Sequence, residues 1–281
     1  MSIIENRKLF QANTPNYPLG YSNNFLTDGF YHDLEKEVIS FTNESEHDKS
    51  VGWKPVRHSL KEFANSNHRV LGGGYEGDTI EKFQEIFKQR GLEYLPKLFK
   101  SLHSQKFANK IYGDLGLSTS NVKPLKLRDK NDSIGLYDFL NYENVYMNFK
   151  LSCYPPGSGI AFHRDNQRKL VGMLLYFGFS DGINREVGGT QFASDHKAED
   201  GWNELQENHS FHENSNLEIV HDHKPQPNSF AAFFINDSSW HRIDPYEAEG
   251  DIYRLNLQIN FMRSRKLNFL SKIANKFLRK I

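Results

Sequence analysis

The sequence contains a single cysteine, Cys153, among 281 residues, and one thiol cannot form an internal disulfide. It therefore gives no sign of the disulfide framework that stabilises small secreted domains. The opening residues mix charges and contain no long apolar segment, so we expect no signal peptide and a cytoplasmic protein.

The sequence also lacks an apolar run of membrane-spanning length and an excess of either charge. Lys plus Arg number 35, Asp plus Glu number 35, and the formal net charge is +0. This balance gives no indication of a nucleic-acid partner, and we expect none. The length fits one large domain, or a catalytic domain with an extension.

The first half of the chain has the periodicity of helices. Asp28 is placed to cap a helix, and a second helix follows Asp78, where Glu81 has the spacing of a capping box. Gly91 is placed to end that second helix, and a third is expected over Leu95–Ile111. Apolar residues recur near helical spacing in the first helix: Phe30, Leu34, Val38 and Phe41.

The second half has the pattern of short strands rich in aromatic and β-branched residues, separated by turn signals such as Pro155-Pro156-Gly157 and Gly188-Gly189. Many short strands at this spacing favour a sandwich or barrel over a parallel α/β sheet. The expected strands are Tyr146–Tyr154, Leu170–Phe179, Gln191–Phe192, Leu217–Val220, Phe230–Ile235 and Tyr253–Phe261.

Two histidines and an aspartate have the pattern of a metal site. Side chains two apart on an extended segment point the same way, so His163 and Asp165 can bind one ion together. His241, which follows the apolar strand 230–235, is the best candidate for a third ligand. Two imidazoles and one carboxylate form the facial triad of non-haem Fe(II) oxygenases, which leaves three positions open for co-substrate and dioxygen.

Arg254 lies on an alternating strand, thirteen residues after His241 and on the same face as Asn256. A guanidinium directed into a barrel needs an anionic partner, because an unpaired buried charge is very costly. The far carboxylate of 2-oxoglutarate suits it as a bidentate partner. The alternative is an arginine that pairs with a structural Asp or Glu.

The run from Tyr154 to Phe261 resembles the prolyl-4-hydroxylase-like branch of the Fe(II)/2-oxoglutarate oxygenase superfamily. The resemblance lies in the order and spacing of its motifs. The resemblance implies a double-stranded β-helix, Fe(II), 2-oxoglutarate and dioxygen. It also implies that Tyr154 contacts the co-substrate and that Arg254, with Asn256, holds its far carboxylate. The matching pieces are Tyr154-Pro155-Pro156-Gly157, His163-Arg164-Asp165, Leu174-Leu175-Tyr176-Phe177, Gly188-Gly189-Thr190-Gln191-Phe192, Pro227-Asn228-Ser229-Phe230 through Phe234, His241 and Arg254-Leu255-Asn256.

The expected fold is α+β with a mainly β core, a double-stranded β-helix of the jelly-roll or cupin-like type. Residues 1–140 are expected to form a helical N-terminal part that buttresses the barrel, and residues 141–263 the catalytic core. Residues 264–281 carry six Lys or Arg, no acid and an apolar stripe, which predicts a basic amphipathic helix. That helix either docks on the domain or contacts a membrane surface or a partner, which would place the protein at the inner membrane.

The expected function is that of a dioxygenase, an oxidoreductase that hydroxylates a C–H bond. Asp165 favours hydroxylation over halogenation, because relatives that halogenate lack the carboxylate ligand. The chain also resembles bacterial relatives that tailor surface glycans or small metabolites, in Asn24–Thr27 and in His163–Asn166 followed by Lys169-Leu170. We therefore favour a small-molecule or glycan substrate, and a peptide substrate stays open.

Two other classes of function are compatible with a β scaffold of this kind. A cupin-like metal-dependent sugar isomerase or lyase would need no 2-oxoglutarate, so Arg254 would not matter to it. A non-catalytic glycan-binding module would need no iron, so Asp165 would not matter to it. The triad and the arginine together favour the oxygenase.

Three other patterns carry less weight. The run Gly72–Gly77 matches a dinucleotide-binding motif but follows a polar, turn-like segment. We therefore expect a flexible loop, a candidate lid near the active site. His221-Asp222-His223 lacks a further carboxylate at a metal-site spacing. Lys150 shares a strand face with Tyr154, so it either lines the pocket or lies at an exposed edge, and Cys153 on the opposite face is expected to be buried.

If the C-terminal helix contacts a membrane surface, the full-length protein will bind weakly to anionic vesicles and truncation at Ser264 will abolish that binding. The reason is that the six cations and the apolar stripe both lie beyond that residue. Vesicle co-sedimentation measures the effect, and equal partitioning of the two proteins would contradict the membrane interpretation.

Overall fold

The structure is a computed structural model and describes residues 3–14, 16–45, 51, 53–55, 69–72, 78–118, 122–195, 210–211, 217–264, 266–268 and 275–276. These residues form five helices and two β-sheets, which are antiparallel except for the pairing of β5 with β6, together with the loops that join them. No helix within the described ranges is long and apolar enough to cross a membrane. The helices are α1 (Asp28–Ser45), α2 (Ile80–Gln89), α3 (Tyr94–Leu102), α4 (Gln105–Asp114) and α5 (Leu136–Asn141).

The helix ends agree with the sequence pattern in part. Gly91 has a φ of 63° and its N–H donates to the carbonyl of Lys88, so it ends α2 as predicted. Asp78 does not cap that helix, because it forms a β-bridge with Phe149 and Thr79 takes the cap position. The prediction of one helix over Leu95–Ile111 is wrong, because two helices occupy that range.

The third helix divides into α3 and α4 at residues 103 and 104. Ser104 has an extended backbone and its side chain accepts a hydrogen bond from the N–H of Phe107 at 3.2 Å. A serine cap of this kind satisfies one of the free N–H groups that begin a helix, and it lets the chain turn between the two segments.

The larger sheet has nine strands and the smaller sheet has five. The larger sheet runs in the order β1-β2-β12-β8-β14-β6-β4-β3, with β5 parallel to β6, and the smaller in the order β10-β7-β13-β9-β11. The strands are β1 (Phe10–Gln11), β2 (Leu19–Ser22), β3 (Lys54–Pro55), β4 (Arg69–Leu71), β5 (Leu125–Leu127), β6 (Glu143–Tyr154), β7 (Ile160–Arg164), β8 (Lys169–Phe179), β9 (Thr190–Asp195), β10 (Ser210–Phe211), β11 (Leu217–His223), β12 (Phe230–Phe234), β13 (Trp240–Ile243) and β14 (Arg254–Arg263).

The chain crosses repeatedly between the two sheets. Strands β6, β8, β12 and β14 belong to the larger sheet, whereas β7, β9, β11 and β13 belong to the smaller one. This alternation is consistent with the predicted jelly-roll arrangement. Strands β1 to β5 from the first 140 residues extend the larger sheet, so this part of the chain contributes strands as well as helices.

The two faces of the larger sheet differ in chemistry. Its outer face packs against α1 to α4 in one large apolar cluster, to which Cys153 belongs as a fully buried residue. The strand residues in this cluster are apolar and alternate along β6 and β14: Val145, Met147, Phe149, Leu151, Cys153, Leu255, Leu257, Ile259 and Phe261. The residues between them point to the inner face and are polar: Asn148, Lys150, Ser152, Tyr154, Arg254, Asn256, Gln258 and Asn260.

Two short strands and one terminal segment differ from the sequence prediction. Strands β7 and β13, which carry the two candidate histidine ligands, were not predicted as strands. Residues 266–268 run beside Ile134, to which Leu267 forms a parallel bridge, so they do not begin the predicted C-terminal helix. Residues 269–274 and 277–281 of that prediction, and residues 73–77 of the glycine loop, lie outside the described residues.

Gly72 has a structural role at the end of β4. Its φ is +100°, and a Cβ there would lie 2.5 Å from the ring of Phe83 and 2.8 Å from the carbonyl oxygen of Phe149. Left-handed backbone and close packing both require glycine at this point. The first glycine of the dinucleotide-like motif is therefore explained by packing between β4, α2 and β6.

We predict that Gly72→Ala lowers the free energy of unfolding by about 2 kcal/mol, because it combines backbone strain with overpacking. Gly29→Ala is the matched control, since Gly29 lies in α1 with nothing within 4 Å of its added Cβ. Urea unfolding of both variants checks this. A Gly72→Ala protein as stable as the control would contradict the packing argument.

Candidate metal centre

The pairing of two strands brings the predicted ligands together. His241 of β13 lies directly opposite His163 of β7, and the ring centroids are 4.2 Å apart. Asp165 follows the end of β7, and one ligand atom from each of the three residues lies within 4.8 Å of the others. All three side chains are buried. Among the described residues, this is the one cluster of three or more His, Cys, Asp or Glu side chains with such spacing.

Both histidines are held in one tautomer by the backbone. Nδ1 of His163 lies 3.0 Å from the carbonyl oxygen of Ala161, and Nδ1 of His241 lies 3.3 Å from that of Ser239. A carbonyl only accepts, so each Nδ1 carries a proton, and in the neutral ring the lone pair lies on Nε2. This is the arrangement in which a histidine binds a metal through Nε2.

The two carboxylate oxygens of Asp165 lie next to different residues. Oδ1 forms an ion pair with the ammonium of Lys169 at 2.8 Å, and both side chains are buried. Oδ2 lies 3.9 Å from Nε2 of His241. The lysine therefore orients the carboxylate so that Oδ2 faces the imidazoles, which suits a carboxylate that binds a metal through one oxygen.

The donor set fits ferrous iron. Two imidazole nitrogens and one carboxylate oxygen on one side of a site, with the other positions open, characterise non-haem Fe(II) centres. The phenyl ring of Phe233 lies 4.8 Å from the His241 ring, so the site also has an apolar wall.

Arg254 is a fully buried cation on the inner face of the larger sheet. Its guanidinium lies over the ring of Tyr154 at 4.6 Å, and Nη1 donates to the backbone carbonyl of Asp244 at 3.3 Å. Nε and Nη2 have no hydrogen-bond partner among the described residues. These two nitrogens form one edge of the guanidinium, which matches the two oxygens of a carboxylate.

Other polar groups surround Arg254. Asn256 follows on the same strand face, and neither its oxygen nor its nitrogen has a described partner. The Tyr176 hydroxyl lies 2.5 Å from Oγ1 of Thr190 and so joins the two sheets. Burial raises the pKa of Tyr154 and of Tyr176 above the usual range, so both phenols stay neutral and can donate a hydrogen bond.

Tyr176, Thr190 and Lys169 were not assigned roles from the sequence. All three lie within or beside the motifs that resemble the oxygenase family, but the residues they contact lie outside their own strands. Strand alternation could have indicated Tyr176, because it is on the inner face beside Asn256 in the β8–β14 register. The partner of Lys169 lies beyond the end of β7 and depends on the path of the intervening turn.

The two histidines of β11 do not form a second cluster of this kind. His221 stacks on Tyr21 with ring centroids 4.5 Å apart, and His223 is almost fully buried. Burial, followed by the nearness of His221, lowers the pKa of His223 to about 3, so it is neutral at physiological pH. Within the described residues no third metal-binding side chain joins them.

The chain matches no protein-family model, and no curated protein matches it. It is similar to several solved structures, which include prolyl hydroxylases and a 2OG-Fe(II) oxygenase family member. A prolyl-4-hydroxylase of Pseudomonas putida has a TM-score of 0.48 and 14% identity, over 88% of this chain and 94% of that chain. A prolyl hydroxylase of Trichoplax adhaerens, in complex with a hypoxia-inducible-factor peptide fragment, has a TM-score of 0.45 and 11% identity, over 88% and 84%. A 2OG-Fe(II) oxygenase family oxidoreductase of Burkholderia pseudomallei has a TM-score of 0.45 and 9% identity, over 89% and 88%.

We predict that Lys169→Met destabilises the metal-free protein by about 3 kcal/mol, because it leaves the Asp165 carboxylate buried without its cation. A divalent metal at the triad would replace the missing positive charge. Addition of Mn(II) should therefore narrow the stability gap between variant and wild type, as measured by urea unfolding with and without metal.

Lys126→Met is the control, because the Lys126–Asp138 pair is far more exposed and should contribute less than about 1 kcal/mol. A stability gap for Lys169→Met that is the same with and without Mn(II) would show that Asp165 does not bind the metal.

Proposed function

We propose that this protein is an Fe(II)- and 2-oxoglutarate-dependent dioxygenase that hydroxylates a C–H bond of a small-molecule or glycan-type substrate. His163, Asp165 and His241 hold the iron. Arg254, with Asn256 and the two inner-face tyrosines, holds the co-substrate. When bound, these groups would supply the oxidation of the substrate C–H bond by dioxygen, coupled to conversion of 2-oxoglutarate to succinate and carbon dioxide.

The buried edge of Arg254 is the observation that carries this proposal. A fully buried guanidinium whose Nε and Nη2 contact no described acid is costly unless an anionic ligand completes it. A dicarboxylate can bind Arg254 with one carboxylate and chelate a metal at the triad with its other end. This is possible because the arginine and the triad lie on the facing inner surfaces of the two sheets. The alternative, an arginine paired with a structural acid, is less well supported: Arg254 acts electrostatically on Asp244, but no described acid lies within ion-pair distance of it.

The residues of the chain have distinct roles in this proposal. The carbonyls of Ala161 and Ser239 fix the histidine rings, so the ligands are in place before the metal arrives. The ammonium of Lys169 orients the Asp165 carboxylate through the ion pair. The phenol of Tyr176 stays neutral because it is buried, and it donates to an oxygen of the co-substrate. The apolar rings of Phe192 and Phe233 exclude water from the His241 side of the site.

The same residues argue against the other two classes. A metal-dependent sugar isomerase gives no reason for an uncompensated guanidinium on the inner face. A glycan-binding module gives no reason for two histidines of fixed tautomer beside an ion-paired carboxylate. The oxygenase accounts for both features at once.

We expect a visible metal-to-ligand charge-transfer band when Fe(II) and then 2-oxoglutarate are added to the anaerobic apoprotein. Asp165→Ala should lose the band, because it removes an iron ligand. Arg254→Ala should need at least about tenfold more 2-oxoglutarate, because a charge-assisted bidentate contact is lost.

Arg185→Ala is the matched control, since Arg185 pairs with Asp181 on the surface and should leave the titration unchanged. Iron bound without a band would exclude the oxygenase and favour the isomerase. An absence of iron binding would favour the binding module.

A further inference from the structure

A second buried cation on the inner face has no role in the proposed function. Lys150 lies on β6, on the same face as Tyr154, and is 9% exposed. No described residue forms a hydrogen bond or an ion pair with its ammonium group. Its electrostatic neighbours are Lys169 and Asp165, so its side chain extends toward the metal end of the interior.

The contrast with Lys169 shows that Lys150 is not a structural cation. Lys169 is paired with Asp165 at 2.8 Å, so its charge is satisfied within the protein. Lys150 has no acid within ion-pair distance among the described residues, although Asp165 lies near enough to act on it electrostatically. A buried amine with no partner destabilises the folded protein, and such groups are kept where a ligand completes them.

The co-substrate does not supply the missing negative charge. Ferrous iron, Arg254 and Lys169 already carry more positive charge than Asp165 and the 2-oxoglutarate dianion carry negative charge. A protonated Lys150 adds to that excess. Lys150 therefore keeps its proton only where a further anion lies beside it, and Asp165 is the one described acid that acts on it electrostatically.

The neighbours of Lys150 indicate the size of that anion. Gln258 lies directly opposite on β14, and its amide nitrogen lies 3.5 Å from the Tyr154 hydroxyl. One ammonium beside one carboxamide offers enough donors for the two oxygens of a carboxylate. A doubly charged phosphate would need more cationic partners than this position provides.

We propose that Lys150 binds a carboxylate of the substrate itself, so that the enzyme acts on an acidic small molecule. The inference rests on the proposed function and narrows its substrate class. Lys150 is a substrate-binding residue, distinct from the groups that hold iron and 2-oxoglutarate. Its place near the metal end of the interior puts the substrate carboxylate close to the carbon that is oxidised.

Propionate and its neutral analogue propionamide are suitable probes, because they differ in the charge that Lys150 would recognise. With anaerobic protein loaded with Fe(II) and 2-oxoglutarate, paramagnetic iron should broaden the proton signals of propionate in a saturable way. The concentration of propionate at half-maximal broadening gives its apparent affinity. Lys150→Met should weaken this affinity by about tenfold or more, since a charge-assisted contact is lost. Lys150→Arg should retain part of it, and propionamide should show no saturable broadening.

Lys97→Met is the control, because Lys97 is a surface residue of α3 paired with Glu93. Lys150→Met removes a buried charge without changing the shape much, so thermal melting should show a folded protein. Lys150→Gln provides a second neutral variant of different polarity. Equal broadening by propionate in the wild type and in both neutral variants would overturn the inference, and so would equal broadening by propionate and propionamide.

The charge-transfer band separates this inference from the function on which it rests. If the wild type gives no band, the proposed function fails and the inference fails with it. If the band forms in Lys150→Met at the wild-type concentration of 2-oxoglutarate, a loss of propionate binding supports a substrate contact. If the variant needs much more 2-oxoglutarate, Lys150 binds the co-substrate and the inference is overturned.

Discussion

The pairing of β7 with β13 is the contact on which the candidate site depends. It sets His163 directly opposite His241, and only this register places both imidazoles on the inner face. A slip of one residue would turn one ring toward the outside of the sheet, because side chains alternate along a strand. Asp165 then joins the pair because it lies two residues beyond His163, just past the end of β7. The register of two short strands therefore fixes three ligands.

The two faces of the larger sheet have different roles: the outer face stabilises the fold and the inner face carries the polar groups of the candidate site. Its outer face packs against α1 to α4 in the large apolar cluster, where most of the burial of apolar surface occurs. Its inner face carries polar side chains at the alternate positions, several of them without described partners. Such groups destabilise the fold, so the helical layer is needed to offset them. The helices thus support the site without contributing a ligand to it.

The sequence indicated the site more fully than it indicated the elements that build it. The spacing of His163 and Asp165, and the position of Arg254 on an alternating strand, follow from local periodicity, and local periodicity is visible in sequence. Strands β7 and β13 were missed because each is short and mixes polar and apolar residues. The contacts of Lys169 and Tyr176 depend on how distant strands meet, which no local pattern encodes. The break between α3 and α4 was missed because the apolar stripe continues across Ser104.

The central claim is that one dicarboxylate lies between the triad and Arg254. A crystal structure of the anaerobic protein with Fe(II) and 2-oxoglutarate tests it most directly. The account predicts a metal bound by Nε2 of both histidines and by Oδ2 of Asp165, with the far carboxylate of the co-substrate on Nε and Nη2 of Arg254. A metal at the triad with the Arg254 edge filled by water or by a protein acid would contradict the account.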